Sequence, residues 1–327
     1  MTIGRKSWAH VRLAMREAVR GWIYDPNVML VDFGWRERGG ALVEDELCIR
    51  VHVVEKIAPG PALEAATQKG TTRGPIPDTI AGFPVDRPQG SYGLHQWWWG
   101  GGWQRPAEPR ARRTDPMQGG ISISNAYLYG YGTLGGPVID RETGDPMILS
   151  NWHVLAGHWH VRPGWPIYQP GRGDGGGHAD TVATFSRGAM SSSLDAAVAE
   201  LTGSRSLVNH PFGLEPVKGV GWAQPGMEVI KSGRGTDVTY GRVTGVEGTA
   251  VMPYGGVYRR IRNVMTIVPR PGMRPVVSAG GDSGSFWLQE ETMHAVGLHF
   301  AGGDDPERAL AIDMQPILDA LNVDIAT

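Results

Sequence analysis

From Gly119 onward the chain is a succession of short apolar or β-branched runs broken by Gly, Pro and Asp. Such runs occupy 127–131, 137–140, 147–150, 181–185, 196–201, 228–231, 243–246, 264–268, 285–288 and 295–300. Strands recurring at this spacing, with turn residues between them, predict an all-β barrel or sandwich. No period of the kind that marks a solenoid or propeller is present.

The first part of the chain is patterned differently. Residues 1–22 are basic and amphipathic, with Val11, Leu13, Met15, Ala18 and Val19 interrupted by Arg12, Arg16, Glu17 and Arg20, which predicts a helix. Two strand-like runs follow at 28–31 and 47–54, with Gly39-Gly40 as a turn between them. A helical stretch at 62–69 precedes Pro75 and Pro77. The expectation is a small α+β unit over 1–86, in which Asp45, Glu46, His52 and Lys56 read as ordinary surface or edge-strand residues. Residues 87–117 then turn to Pro, Gly, Arg and Trp, including Trp97-Trp98-Trp99-Gly100-Gly101-Gly102-Trp103, and read as a linker or extended arm. Its tryptophans either anchor the arm on a neighbouring surface or cover a substrate cleft. The rest, 118–327, is the β-rich unit.

Composition narrows the classes. A chain of 327 residues with 41% hydrophobic and 20% charged residues can bury a sizeable core as an ordinary globular protein. A formal net charge of -2 offers no electrostatic reason for nucleic acid or an anionic membrane as partner. With one cysteine, Cys48, no intrachain disulfide can form, which points to a reducing compartment. The N-terminal segment lacks the uninterrupted apolar core of a secretion signal. No apolar run approaches the length of a membrane span. A cytoplasmic location is expected.

The densest chemistry lies in Gly280-Gly281-Asp282-Ser283-Gly284-Ser285. A serine attacking a carbonyl needs open space above its oxygen and backbone N–H groups that can hold the oxyanion. Glycines beside it let the backbone come close and adopt dihedrals closed to other residues. A candidate base is His153, in Leu149-Ser150-Asn151-Trp152-His153-Val154-Leu155, which reads as the end of a buried strand turning into a loop. A candidate orienting carboxylate is Asp195, which opens an apolar run in Ser192-Ser193-Leu194-Asp195-Ala196-Ala197-Val198-Ala199. Its burial is costly unless a partner such as a histidine N–H accompanies it; the other reading is a surface turn or cap. His158-Trp159-His160 reads as a solvated loop, since no carboxylate or cysteine stands at a spacing that would complete a metal site.

In order and spacing these residues resemble the trypsin/chymotrypsin-like serine peptidases. The order His, Asp, Ser is theirs. Gly132-Thr133-Leu134-Gly135 before the histidine, Lys231-Ser232-Gly233-Arg234-Gly235, and Val296-Gly297-Leu298-His299-Phe300 after the serine also fit. Within that superfamily the chain looks most like intracellular trypsin-like proteins with an extra N-terminal domain, the plant NARROW LEAF 1 group among them. The resemblance implies a mainly β fold, a chymotrypsin-like double β-barrel preceded by a small α+β domain. It implies a serine endopeptidase acting on protein or peptide substrates, with His153, Asp195 and Ser283 as the triad. The N–H groups of Gly281 and Ser283 would form the oxyanion hole, and no metal or cofactor would be required.

It also implies a specificity pocket with Val277 near its base and His299, Phe300, Ala301 and Gly302 along its wall. Val277 brings no carboxylate for Lys or Arg. His299 stands where glutamyl endopeptidases and viral 3C-type peptidases place a histidine, so a Glu or Gln, or else a medium apolar residue, is expected at the cleaved position. His299 equally reads as a satisfied core histidine. In the zymogens of the superfamily the Asp before the nucleophile pairs with a new N-terminus. Here that Asp is Asp282 and a whole unit precedes it, so an internal partner is expected. Arg110-Ala111-Arg112-Arg113 reads as a processing site or as a solvated basic run. The competing function is an inert or weakly active scaffold on the same fold.

Overall fold

A computed structural model describes residues 5–95, 97–98 and 109–327, with the backbone alone at 5–7, 45 and 97–98. Residues 1–4 of the predicted helix, and Trp99 and Trp103 of the predicted arm, lie outside the described residues. The chain is mainly β and is built from multiple sheets, as expected.

The N-terminal helix, Arg5–Trp22, buries Val11, Ala14, Met15 and Ala18. Their spacing puts them on one helical face, which packs on Val31, Phe33, Ile49 and Val51. A fully buried aliphatic side chain of this kind contributes about 1.5–3 kcal/mol. The strands beneath, Val28–Arg38 and Ala41–Val53, form the expected hairpin around Gly39-Gly40. That hairpin continues a larger sheet. Val28–Arg38 pairs antiparallel with the strand Asp237–Tyr254, Leu30 opposite Ala250 and Phe33 opposite Val246. Among the described residues one sheet therefore has twelve strands, and it runs from the β-rich unit into the N-terminal hairpin without a break.

A second sheet of nine described strands carries Ser122–Asn125, Gly130–Thr133, Pro146–Ser150 and Ala197–Leu201. The last strand of the chain, Val323–Ile325, returns to it beside Gly136–Asp140. One core cluster joins the two sheets: Ile123, Leu149 and Val198 of one pack with Phe286, Leu298 and Phe300 of the other. The seam between them is therefore buried, and the candidate site lies along it.

Most expected strands are present, and the exceptions have local causes. Residues 127–129 leave the sheet because the Asn125 side chain accepts the Tyr127 N–H at 3.0 Å, which turns the chain; the strand begins at Gly130. The runs at 243–246 and 264–268 are parts of one long hairpin, Asp237–Tyr254 with Val257–Pro269, whose register shifts at several bulges. The helix Met314–Leu321 was not expected, although Met314, Ile317, Leu318 and Leu321 recur at helical spacing and are buried.

Two residues lie elsewhere than the sequence suggests. His52 is fully buried, with Nε2 3.2 Å from Asp32 Oδ1 and Nδ1 2.6 Å from the Tyr92 hydroxyl. Arg110, the first residue of the basic run, is buried rather than solvated. It bonds the Gly120 carbonyl at 3.0 Å and pairs with Asp237 at 2.9 Å, so a protease could not reach it without local unfolding.

Candidate active site

The strand Pro146–Ser150 runs directly into one helical turn, Trp152–Leu155, all of whose side chains are buried. His153 sits on this turn rather than in the expected loop. The Asn125 amide caps the turn by donating to the Leu155 carbonyl at 2.7 Å. Asp195 lies just before the neighbouring strand Ala197–Leu201, and the Asn151 amide donates to its carbonyl at 2.6 Å. Two adjacent strands of one sheet thus hold the histidine and the carboxylate.

The Asp195 carboxylate is fully buried and receives three donors. Oδ1 accepts the His153 backbone N–H at 3.0 Å, Oδ2 accepts the Tyr254 hydroxyl at 2.9 Å, and Oδ2 also pairs with His153 Nδ1. Burial, then Asp195, pushes the Tyr254 phenol well above its ordinary range, so it stays a neutral donor. With Nδ1–H turned to the carboxylate, the imidazole presents its basic lone pair at Nε2.

Ser283 lies in a turn stitched to both sheets. Its carbonyl accepts the Thr133 N–H at 2.7 Å, and the Thr133 hydroxyl donates to the Gly281 carbonyl at 2.7 Å. On the other side the Gly284 N–H donates to the His299 carbonyl, and the His299 N–H to the Ser285 carbonyl, both at 2.9 Å. The turn requires glycine at two positions. Gly281 has φ +97°, and a Cβ there would meet the Tyr131 ring at 2.4 Å. Gly284 has φ +100°, and a Cβ would meet the Thr133 carbonyl oxygen at 2.1 Å. The Ser283 hydroxyl itself donates to the Phe300 carbonyl at 3.2 Å.

Asp282 has an internal partner, Lys231, whose Nζ lies 2.9 Å from Oδ2, with both side chains fully buried. Thr236 adds its hydroxyl at 2.6 Å and its N–H at 3.0 Å, and Gly235 adds its N–H at 2.8 Å. Burial alone would raise this carboxyl. Lys231, His299 and these hydrogen bonds outweigh it and hold it at about 2.

His299 is fully buried between two partners. The Trp287 indole N–H donates to its Nδ1 at 3.4 Å, which leaves the ring proton on Nε2, directed at His95 Nδ1 3.1 Å away. Burial, then the neighbouring His95 and Lys231, pushes His299 well below its ordinary range; burial brings His95 down to about 4. Phe300 contributes its side chain to the core and its carbonyl to the site. Val277 is fully buried in a separate cluster with Val229, Val243 and Trp287. Its N–H donates to the Glu307 carboxylate at 2.8 Å.

The space in front of Ser283 is taken by the chain's own residues 93–95. Gly93–Leu94 forms a short antiparallel strand with Ala301 and Gly302, Leu94 opposite Ala301 and Gly93 opposite Gly302. The His95 N–H donates to the Phe300 carbonyl at 3.2 Å, and the His95 carbonyl accepts the Gly281 N–H at 2.6 Å. The backbone of Trp97–Trp98 pairs with Tyr131 and Gly130 of the other sheet. Residues 93–95 are thus bound to one sheet and residues 97–98 to the other. Tyr254, Lys231 and His95 were not singled out as site residues from sequence. Tyr254 occupies an unremarkable place in a strand, Lys231 entered only as the first residue of a matching stretch, and only the tryptophan run hinted at an arm in a cleft.

No protein-family model matches this chain, and no curated protein matches it. Among solved structures it is similar to Thermobifida fusca protease A, at 16% identity over 64% of this chain and 98% of that one, with a TM-score of 0.47. It is similar to Nocardiopsis protease at 18% identity over 65% of this chain and 100% of that one, with a TM-score of 0.48. A glutamic acid specific serine protease, described as using a histidine triad in substrate binding, matches at 19% identity over 64% of this chain and 100% of that one, with a TM-score of 0.48.

Proposed function

We propose that the chain is a serine endopeptidase of the trypsin/chymotrypsin-like kind, hydrolysing protein or peptide substrates through an acyl-enzyme. The observation that carries this reading is the buried Asp195 carboxylate, which binds both the backbone N–H and the Nδ1 of His153. In this mechanism the Ser283 hydroxyl turns from the Phe300 carbonyl toward His153 Nε2 and attacks the substrate carbonyl. His153 takes its proton and passes it to the leaving amine, and Asp195 steadies the imidazolium. The N–H groups of Gly281 and Ser283 hold the oxyanion. Water then cleaves the ester with the same base.

The finer reading is a regulatory enzyme of narrow specificity, allied to the NARROW LEAF 1 group and working in the cytoplasm. Its preference is for Glu or Gln, or a medium apolar residue, at the cleaved position. The donor that His299 Nε2 directs into the site suits a side chain carrying an acceptor. The arrangement of Lys231 about Asp282 supports an active turn that needs no processed N-terminus.

The test is reaction with a serine-directed fluorophosphonate, together with hydrolysis of a peptide library. Ser283→Ala abolishes labelling and lowers hydrolysis by about ten-thousand-fold or more. A library cut mainly after Lys or Arg would refute the specificity. A second reading, an inert scaffold, is favoured by the filled cleft and the Ser283 hydroxyl bonded to Phe300. It is chosen if biological activity survives Ser283→Ala.

A further inference from the structure

The segment in the cleft makes the contacts that an attacked peptide requires. A peptide under attack must place its carbonyl oxygen on the oxyanion donor; the His95 oxygen lies 2.6 Å from the Gly281 nitrogen. Its backbone must be fixed on the side of the acyl group; here Gly93–Leu94 is paired with Ala301 and Gly302, and the His95 N–H is bonded to Phe300. It must also be fixed on the side of the leaving amine; there Trp97–Trp98 is paired with Tyr131 and Gly130. Its side chain must have a partner, and the His95 ring meets His299 Nε2 at 3.1 Å.

The N-terminal unit holds the arm at its upstream end. The Tyr92 hydroxyl lies 2.6 Å from His52 Nδ1 and receives the Arg308 guanidinium at 2.9 Å. Arg308 is itself held by both Glu37 oxygens, at 2.8 and 2.7 Å. The Gly90 N–H donates to the Val53 carbonyl, and the Val53 N–H to the Pro88 carbonyl, both at 3.0 Å. An arm clamped before and after the reacting carbonyl has already lost the freedom that a separate substrate would lose on binding.

We propose that residues 93–95 are bound as a substrate of the chain's own serine, and that the protein hydrolyses the peptide bond following His95 in cis. The proposal rests on the peptidase reading above and extends it to a named bond. Ser283 Oγ bonds to the His95 carbonyl carbon and its proton passes to His153. The C–N bond to Gln96 breaks, and the Gln96 amine leaves with the proton from His153. Water attacks the ester, returns a proton to Ser283 through His153, and leaves His95 with a carboxylate. Until that cut the arm excludes other substrates. The His95 ring offers His299 Nε2 an acceptor at Nδ1, as a Glu or Gln side chain would, so a peptide with the sequence of residues 91–98 is cut in trans at the same bond.

The experiment follows purified full-length chain by intact mass and N-terminal sequencing, beside Ser283→Ala and His95→Pro. The wild type yields a fragment beginning at Gln96, with a first-order rate independent of protein concentration; Ser283→Ala stays whole. His95→Pro, which has no N–H for Phe300, also stays whole. It is labelled by fluorophosphonate at least about ten-fold faster, because the arm no longer holds the cleft closed. A wild type that is labelled at Ser283 and cuts other peptides, yet stays whole at His95, overturns the proposal and leaves the peptidase reading standing. A wild type neither labelled nor cut overturns both. Cutting in Ser283→Ala, or a rate proportional to concentration, overturns the cis assignment.

Discussion

Lys231 Nζ lies 2.9 Å from Asp282 Oδ2, and both side chains are wholly removed from solvent. The pair fixes the residue before the candidate nucleophile from within the fold. Removing one partner leaves the other as an uncompensated buried charge. Lys231→Met therefore lowers stability by about 3–5 kcal/mol in denaturant unfolding. It also abolishes fluorophosphonate labelling of Ser283, and Lys231→Met with Asp282→Asn recovers much of the stability. A Lys231→Met protein as stable as the wild type would contradict this account.

The same pair has a pH signature. The Asp282 carboxyl is held at about 2, below its ordinary 3.8. The folded state therefore binds fewer protons than the unfolded state across that interval. The stabilisation is complete above 3.8 and falls away as pH drops toward 2. Asp282→Asn removes this part of the acid dependence, which a pH series of unfolding midpoints measures.

His95 gives the arm a second, milder acid response. Its ring is held at about 4, below its ordinary 6.5, first by burial. The ionisable groups facing it are Asp282 and Asp304, whose carboxylates oppose the shift, Lys231, whose ammonium adds to it, and His153; His299 is its direct partner. The docked arm binds the neutral ring. Docking is therefore strongest above 6.5 and weakens as pH falls to about 4, by about 3 kcal/mol in all. Hydrogen exchange at the amides of residues 93–95 rises over this interval in Ser283→Ala, and the rise is absent in a Ser283→Ala, His95→Gln chain.

Tyr254 donates to the same Asp195 oxygen that pairs with His153. Tyr254→Phe removes one hydrogen bond to a buried charge, at a cost of about 1.5–3 kcal/mol. The carboxylate, short of a donor, draws more strongly on His153. In steady-state kinetics kcat falls more than KM rises. An unchanged kcat would show that the hydroxyl only packs.

Gly281→Ala places a methyl group 2.4 Å from the Tyr131 ring at a φ of +97°. Backbone strain of this kind costs about 1–3 kcal/mol. The shift it forces on the Gly281 N–H lowers kcat by about a hundred-fold or more, the range seen on losing one oxyanion donor. Steady-state kinetics of the folded variant check this.

How much of the site was legible follows from where each signal sits. Ser283 was readable because a nucleophile turn concentrates its requirements within six residues: glycine where φ is positive, a small neighbour, and an acid before the serine. His153 and Asp195 were readable as a pair through order and spacing. Tyr254 was not, because nothing in its own neighbourhood requires a phenol; its role comes from a hairpin longer than the apolar runs within it suggested. His52 was misread because its partners, Asp32 and Tyr92, lie on a neighbouring strand and on the arm. Val277 carried no signal of its own and packs with Trp287 in the core.

The short strands, the N-terminal helix with its buried face, and the glycine-flanked serine are legible in the chain alone. Each of these is set by residues within one or two turns of chain, where periodicity and backbone sterics act directly. The meeting of Lys231 with Asp282 and the joining of the N-terminal hairpin to the twelve-stranded sheet are set by the tertiary fold. It alone placed His95 against Gly281 and His299, the latter 204 residues away in the chain. Such contacts depend on how two sheets close on one another, and that closure is fixed by the packed core as a whole rather than by any local stretch of residues.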